Sequence, residues 1–350
     1  MSRPRLSICI PVYNFAAFLG ATLESLLPQA TEAVEVIVLD GGSTDGTPAL
    51  VDGFRSRYPR LQYLRRETRG GIDRDMSLAV AASRGEYVWI FSGDDLMRHD
   101  AVARVLAELH SACDLYLLEA LLCHLDMTPI AMHRMLPIRA ARTFRLGEPA
   151  DRDWYFRRAL NSATFFSFCS ALVTRRESWD RGDQGERYFG TCWAHAARLL
   201  SLVPSGLTVR YLPGAFLDKR GDNDSFLTDG LTRRWGLAVE GYQRIADETF
   251  GHASFEARAI RAAMRRDIPL AAWLLARIEV AESRPGDWPL FRRLVRQHFG
   301  DGSPIDALRL AVCLHAPAWA LRATRRAVMA LRGSGRPQRS KSAPKEPAGS

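Results

Sequence analysis

Lysine is almost missing from this chain. Three of its 48 basic residues are lysines, at 219, 341 and 345, a bias that reflects genome base composition rather than function. Cysteine is scarce and scattered, at 9, 113, 123, 169, 192 and 313. None of the six forms a CxxC pair or a Cys/His cluster at zinc-finger spacing, which excludes the common zinc and thiol-redox motifs. Reduced thiols in a cytoplasmic compartment are the simplest reading. No secretory leader is expected, because the apolar residues 6–10 are too few and give way at once to a turn. The longest apolar C-terminal stretch is broken by Arg309, His315 and Pro317, which argues against a membrane-spanning helix.

The body of the chain also lacks excess positive charge. Residues 1–230 hold 27 Lys and Arg against 28 Asp and Glu, whereas residues 231–350 hold 21 against 11. The net charge of +9 therefore belongs to the C-terminal third, which argues against nucleic acid as a partner. It leaves an acidic membrane surface as a partner for that end. With 350 residues, 47% apolar and 25% charged, the composition is that of a soluble globular protein of one large or two smaller domains.

What is present begins with a regular alternation. Apolar strands are expected near residues 6–10, 34–39, 61–64 and 87–92, separated by segments with helical apolar spacing at 15–27, around Leu50, Val51 and Phe54 after a cap at Ser43 or Thr44, and from Asp73 to the stop at Gly85. Such a β-α-β-α-β-α-β order predicts a mainly parallel α/β sheet flanked by helices. Three strand ends carry polar clusters: Pro11-Val12-Tyr13-Asn14, Asp40-Gly41-Gly42-Ser43-Thr44-Asp45 and Ser92-Gly93-Asp94-Asp95. Ligands in open α/β sheets sit beyond the carboxyl ends of the strands, so the clusters are expected to converge. Asp94 and Asp95 read either as helix caps or as hard oxygen ligands for Mg²⁺ or Mn²⁺; the two other clusters favour the metal.

Further along, 114–122 reads as a buried strand, Phe165–Val173 as a strand or buried segment, and 207–212 as a strand. Residues 177–190 form a polar loop, 192–200 a helix, and Gly221-Asp222-Asn223-Asp224-Ser225 a tight turn. From about 231 the pattern is helical. The expected organisation is a catalytic domain over 1–228, a helical region over 229–332 and a disordered tail over 333–350.

The motifs Ile10-Pro11-Val12-Tyr13-Asn14, VIVLDGGSTDGT at 36–47, GGIDRD at 70–75 and RGEYVWIFSGDD at 84–95, in this order and spacing, resemble the family 2 glycosyltransferases of GT-A fold. GGIDRD, FFSFCSALV at 165–173, FGTCW at 189–193 and RGDNDS at 220–225 are most similar to the abequosyltransferase-type branch, whose members build O-antigens and similar surface polysaccharides. The resemblance covers about residues 5–225. It implies a nucleoside-diphosphate sugar as donor and a glycan or polyprenyl-linked acceptor, with inversion at the transferred sugar. It assigns Asp95 to the metal, with Asp94 near the metal and the donor ribose, and Pro11, Tyr13, Asn14, Asp40 and Gly41 to the nucleotide pocket. Arg74 has a guanidinium suited to phosphate, and Asp73 either orients it or caps a helix. A divalent cation would stabilise charge on the departing diphosphate.

Two departures stand out. Many relatives carry two acids where this chain has Asp40-Gly41. Many also carry an Asp at the start of the helix after the 177–190 loop, where Thr191 stands here. An inverting transfer needs a base for the acceptor hydroxyl. Glu186, Asp183 and His195 are the candidates, one of them expected; Asp222 and Asp224 are further ones. His195 also reads as a packed histidine, and Glu186 as a solvated carboxylate. In residues 305–331 the apolar spacing of Ile305, Leu308, Val312 and Trp319, followed by Arg322, Arg325, Arg326 and Arg332, reads either as a packed helix or as peripheral contact with the inner face of the membrane. A non-catalytic nucleotide-sugar-binding or scaffold subunit is the competing function. A nucleotidyltransferase would carry a basic, glycine-rich loop after the first strand, which this chain lacks.

Overall fold

The computed structural model describes residues 3–300, 302–317 and 319–323. The chain divides into two compact units, Met1–Pro269 and Leu270–Ser350.

The first hundred residues form β1 (Leu6–Val12), α1 (Ala16–Leu26), β2 (Val34–Asp40), α2 (Thr47–Arg57), β3 (Leu61–Arg65), α3 (Ile72–Ala82) and β4 (Tyr87–Ile90). Strands β1, β2 and β4 are buried along their whole length, which is why they read as continuous apolar runs. All pairs among β1 to β4 are parallel, in the order β3-β2-β1-β4. The chain runs outward through β1, β2 and β3 and then crosses to the far side of β1. The topological switch, and with it the natural ligand crevice, therefore lies between the carboxyl ends of β1 and β4.

The unit continues with β5 (Leu96–Met97), α4 (Ala101–Glu108), β6 (Leu115–Cys123), β7 (Pro129–His133), β8 (Arg142–Arg145), α5 (Pro149–Arg158), β9 (Leu172–Arg175), α6 (Arg176–Arg181), α7 (Ala194–Leu200), β10 (Thr208–Arg220), α8 (Leu231–Phe250) and α9 (Phe255–Asp267). Strand β9 lies antiparallel between β4 and β6, and β10 runs parallel to β6. Thus β6 and β10 end on the same rim as β1, β2 and β4. Helices α8 and α9, expected in a separate helical region after residue 228, belong to this first unit. Tyr242 of α8 donates to Phe165 O, and Asp267 at the end of α9 accepts from the Ser162 amide at 2.9 Å.

Two segments differ from their sequence pattern. In FFSFCSALV only Leu172 onward is strand; residues 162–165 and 169–171 are 3₁₀ turns. Phe165 and Phe166 are buried, Phe165 against the ring of Phe156, so the apolar run reports burial rather than strand period. Strand β10 runs eight residues past 212, to Arg220. Its register slips between Leu212 and Leu217, where Gly214 adopts φ 88°. Buried Glu119 accepts the Gly214 amide at 2.8 Å and the Tyr211 hydroxyl. This bulge breaks the alternation that would have marked the strand.

The second unit contains α10 (Leu270–Glu282), α11 (Trp288–Phe299) and α12 (Pro304–His315). Trp273 and Phe291 form its centre, with His298 against Trp273. Ser303 and Asp306 form a reciprocal capping box at the start of α12, as expected for a helix that must fix its own entry. Ile305, Leu308 and Trp319 are 62%, 65% and 69% exposed. No helix among the described residues is long and apolar enough to cross a membrane. The expected tail at 333–350, and Arg325, Arg326 and Arg332, lie outside the described residues.

Candidate active site

The three polar clusters meet at the carboxyl rim. Asn14 adopts a left-handed φ of 57°, a conformation asparagine tolerates. From there its amide donates to Ser43 Oγ at 2.8 Å, and its Oδ1 accepts the Thr44 amide at 2.8 Å. The β1 and β2 loops are thereby pinned together. Asp45 accepts the amides of Thr47 and Ala16, so it serves the starts of α2 and α1. Asp40 is fully buried; its carboxylate accepts the amides of Gly42 and Ser43 and the Tyr63 hydroxyl. Tyr13 is half-buried, with the Arg69 guanidinium 4.4 Å from its ring centre.

Asp94 and Asp95 follow β4. A Cβ on Gly93 would stand 2.7 Å from Val12 Cγ1, so glycine is what lets this turn press against the end of β1. Thr22 Oγ1 lies 2.9 Å from the carbonyl oxygens of both Gly93 and Asp95. Asp94 accepts from Ser92 Oγ and from the side-chain amide of Asn223. Asp95 is 2% exposed. Its Oδ1 accepts the Arg220 amide at 3.1 Å, while its Oδ2 is buried with no hydrogen-bond partner among the described residues. Burial, and then the charge of Asp94, push its pKa up to about 7.

A buried carboxylate oxygen without a donor is costly unless a cation meets it. The donor set fits a hard divalent ion, with Asp95 Oδ2 and the Asp94 carboxylate as protein ligands. Among the described residues no three His, Cys, Asp or Glu side chains converge. Waters and ligand phosphate oxygens would have to complete the shell, as Mg²⁺ and Mn²⁺ sites allow.

Residues 7–175 match the family Glycosyl transferase family 2. Residues 7–175 form a family 2 glycosyltransferase domain. The abequosyltransferase RfbV of Salmonella typhimurium is 29% identical over 281 residues, 79% of this chain and 84% of that protein. The chondroitin synthase of Escherichia coli is 33% identical over 105 residues, 30% of this chain and 15% of that one. Among solved structures, S. aureus TarS 1–349 with UDP has a TM-score of 0.59 at 16% identity, over 96% of this chain and 93% of that one. The same protein with UDP-GlcNAc gives 0.57 at 15%. The glycosyltransferase thus has the GT-A fold, with a helical C-terminal region.

The turn before α7 is arranged differently from its sequence pattern. Asp73 does not cap its own helix: α3 starts at Gly71 with no side-chain cap. Its buried carboxylate instead accepts the amides of Gly190, Cys192 and Ala194 at 2.9, 2.9 and 3.1 Å. It holds the turn before α7, where Gly190 and Cys192 both have positive φ. Arg74 is exposed, with its guanidinium 6.0 Å from the Phe189 ring centre. Thr191 Oγ1 bonds within the same turn.

His195 is 5% exposed, and both ring nitrogens are buried without a partner among the described residues. Burial holds its pKa below the usual imidazole value. The ring is packed in the interior, which does not favour its reading as a base. Glu186 is exposed; its backbone carbonyl accepts the Phe189 amide at 3.1 Å, while its carboxylate makes no hydrogen bond among the described residues. Asp183 starts a 3₁₀ turn, Asp183–Tyr188, and its side chain is outside the described set. Asp224 is paired with Arg234.

Sequence reasoning pointed to the 221–225 loop but missed how Arg220 and His124 join it to the aspartate pair. Arg220 Nε donates to Asp94 O at 2.9 Å, and its Nη1 donates to Leu125 O in the β6–β7 turn. In that turn His124 Nδ1 lies 3.3 Å from Asp222 Oδ2. Asp222, at φ 61°, aims one way at His124, and Asn223 beside it aims the other way at Asp94. The RGDNDS motif was a signal for this loop, but nothing in the sequence pointed to His124.

Proposed function

We propose that the enzyme moves a hexose or deoxyhexose from a nucleoside-diphosphate donor to a glycan or polyprenyl-linked acceptor, in the synthesis of a surface polysaccharide of O-antigen type. The likeness to an abequosyltransferase supports the setting. The observation that carries the reading is Asp95 Oδ2, buried and without a hydrogen-bond partner among the described residues, beside Asp94 at the end of the switch-point strand. Mg²⁺ or Mn²⁺ held by Asp95 and Asp94 would neutralise charge building on the diphosphate. Pro11, Tyr13, Asn14, Asp40 and Gly41 line the nucleoside side, and Arg74 reaches toward phosphate. Asp73 contributes by holding the turn over the acceptor side.

Inversion needs a base on the acceptor face. Of the groups on the carboxyl rim, the exposed imidazole of His124 has its Nδ1 3.3 Å from the Asp222 carboxylate, a pairing of the kind that orients a general base. We assign it that role in preference to Glu186, whose carboxylate has no orienting partner among the described residues. The second unit, with a net charge of +8 over residues 270–350 and exposed apolar side chains on α12, suits peripheral contact with an anionic membrane face.

A thermal-shift series of nucleoside diphosphates with and without Mn²⁺ tests the reading. Stabilisation by one or more of them that requires the metal and disappears in Asp95→Ala is the expected result. Stabilisation that ignores both the metal and the substitution would overturn the metal site.

A further inference from the structure

Gly41 has no side chain, yet the space it leaves is filled. A Cβ built on Gly41 would stand 2.4 Å from Asp75 Oδ2 and 3.2 Å from its Cγ. An aspartate oxygen lies about that far from its own Cβ. Asp75, in the first turn of α3, thus delivers a carboxylate oxygen at the reach of an acidic side chain on residue 41. A second glycine serves the same arrangement. A Cβ on Gly70 would fall on the Arg66 guanidinium, 1.6 Å from Nη1, and that nitrogen holds Asp75 Oδ1 at 3.0 Å.

The ion pair uses one oxygen only. Asp75 Oδ2 accepts no hydrogen bond among the described residues, although the residue is 3% exposed. Burial raises the Asp75 pKa, and the attraction of Arg66 does not fully offset it. A nearly dry, half-satisfied carboxylate discriminates strongly between partners, because a ligand without a matching N–H leaves it desolvated and unpaired.

Its place on the sheet says which part of a ligand it meets. The Gly41 amide donates to Val12 O at 2.8 Å, so Oδ2 sits at the carboxyl ends of β1 and β2. Strand β1 separates β2 from β4. With strands about 4.8 Å apart, the end of β2 lies on the order of 10 Å from Asp94 and Asp95. A diphosphate at the aspartate pair would carry its ribose over β1 and its base over β2.

We propose that Asp75 sets the base specificity of the donor, its Oδ2 accepting a hydrogen bond from an N–H on the base edge. This rests on the nucleotide-sugar reading above. A carboxylate at the β2 loop is here supplied from α3, and Gly41 and Gly70 are the two positions that make room for it.

The test is the affinity of UDP, GDP, CDP, ADP and dTDP, each with Mn²⁺, for the wild type, Asp75→Ala, Asp75→Asn and the double variant Gly41→Asp/Asp75→Ala. The wild type should prefer one base. Asp75→Ala should weaken that nucleotide about tenfold to a hundredfold while barely changing the others, which flattens the ranking. The double variant should restore the preference by returning the carboxylate to the loop. Asp75→Asn, which keeps the volume if the alanine variant folds poorly, should shift preference toward bases that offer an acceptor. A ranking preserved in both single variants, with equal loss for every nucleotide, would reduce the pair to a structural role and overturn the proposal. A wild type that binds all five equally would also overturn it, leaving the nucleotide reading standing. A wild type that binds none would overturn that reading itself.

Discussion

The side-chain amide of Asn223 donates to the Asp94 carboxylate across 129 residues of chain. It joins the end of β10 to the end of β4 and leaves Asp94 oriented before any ligand arrives. Asn223→Ala should therefore weaken metal-dependent nucleotide binding by about fivefold to thirtyfold, the scale of one charge-assisted hydrogen bond. The melting temperature should change little, because the loop is half exposed. Titration calorimetry with and without Mn²⁺ measures both terms; unchanged affinity would detach the loop from the donor site.

Asp95 should cost the metal-free protein stability. Below the ordinary carboxylate pKa near 4, folded and unfolded chains both keep this proton. Between about 4 and 7 the unfolded chain releases it and the folded chain retains it. Stability therefore falls as pH rises through that window, and the penalty is complete above about 7. In chelator at pH 8, Asp95→Asn should melt higher than the wild type, at about 2–4 °C per kcal/mol relieved, and the gap should close toward pH 4. Mn²⁺ should raise the wild-type melting temperature and leave the variant unmoved.

Asp114 should behave in the opposite sense. It accepts from Ser178 Oγ at 2.5 Å, from the Thr208 amide and hydroxyl at 2.8 and 2.6 Å, and from Arg181 at 2.9 Å. Burial opposes its ionisation, but these donors together hold its pKa below the usual range. The stability it confers is full above the ordinary pKa and is lost as pH falls through the lower folded value. Asp114→Asn should cost about 2 kcal/mol at pH 7. That difference should shrink in urea melts repeated near pH 3; a constant difference would contradict the ionic account.

Asp73→Ala removes the acceptor for three backbone amides at the start of α7. Buried donors left unpaired cost about 1–3 kcal/mol each and do not add fully, so a loss of roughly 3 kcal/mol is expected. Amide exchange should quicken at residues 190–194 before the sheet strands respond. Uniform acceleration across the sheet would mean that the turn is not a separate unit.

His124→Gln should lower turnover by a factor of 10² or more with nucleotide affinity kept, as for removal of a general base. Asp222→Asn should lose less, since the imidazole stays in place. Release of nucleoside diphosphate from the donor gives turnover, and calorimetry gives affinity. Full activity in His124→Gln would return the search to Glu186 and Asp183.

The convergence of the three polar clusters on the carboxyl rim was legible because their residues sit next to strong local signals. The runs that became β1, β2 and β4 are buried on both faces, so their composition alone marks them. Each functional cluster follows one of these strands directly. The turn before α7 and the end of β10 had no such marker. The role of Asp73 depends on amides some 120 residues away, and β10 is disguised by its bulge. His195 sits at a helical position whose burial depends on what packs against it. No spacing rule carries that information.

The order of strands, the carboxyl rim and the aspartate pair at its switch point were determined by the sequence itself, through apolar periodicity and turn-forming residues. The tertiary structure alone decided what those residues meet. It left Asp95 Oδ2 buried and without a partner among the described residues, turned Asp73 from its own helix to the next one, and closed His195 into the interior. It also set Asp75 into the gap at Gly41. Each of these outcomes depends on groups distant in sequence that approach within a few ångströms, where burial and unmet hydrogen bonds determine the chemistry.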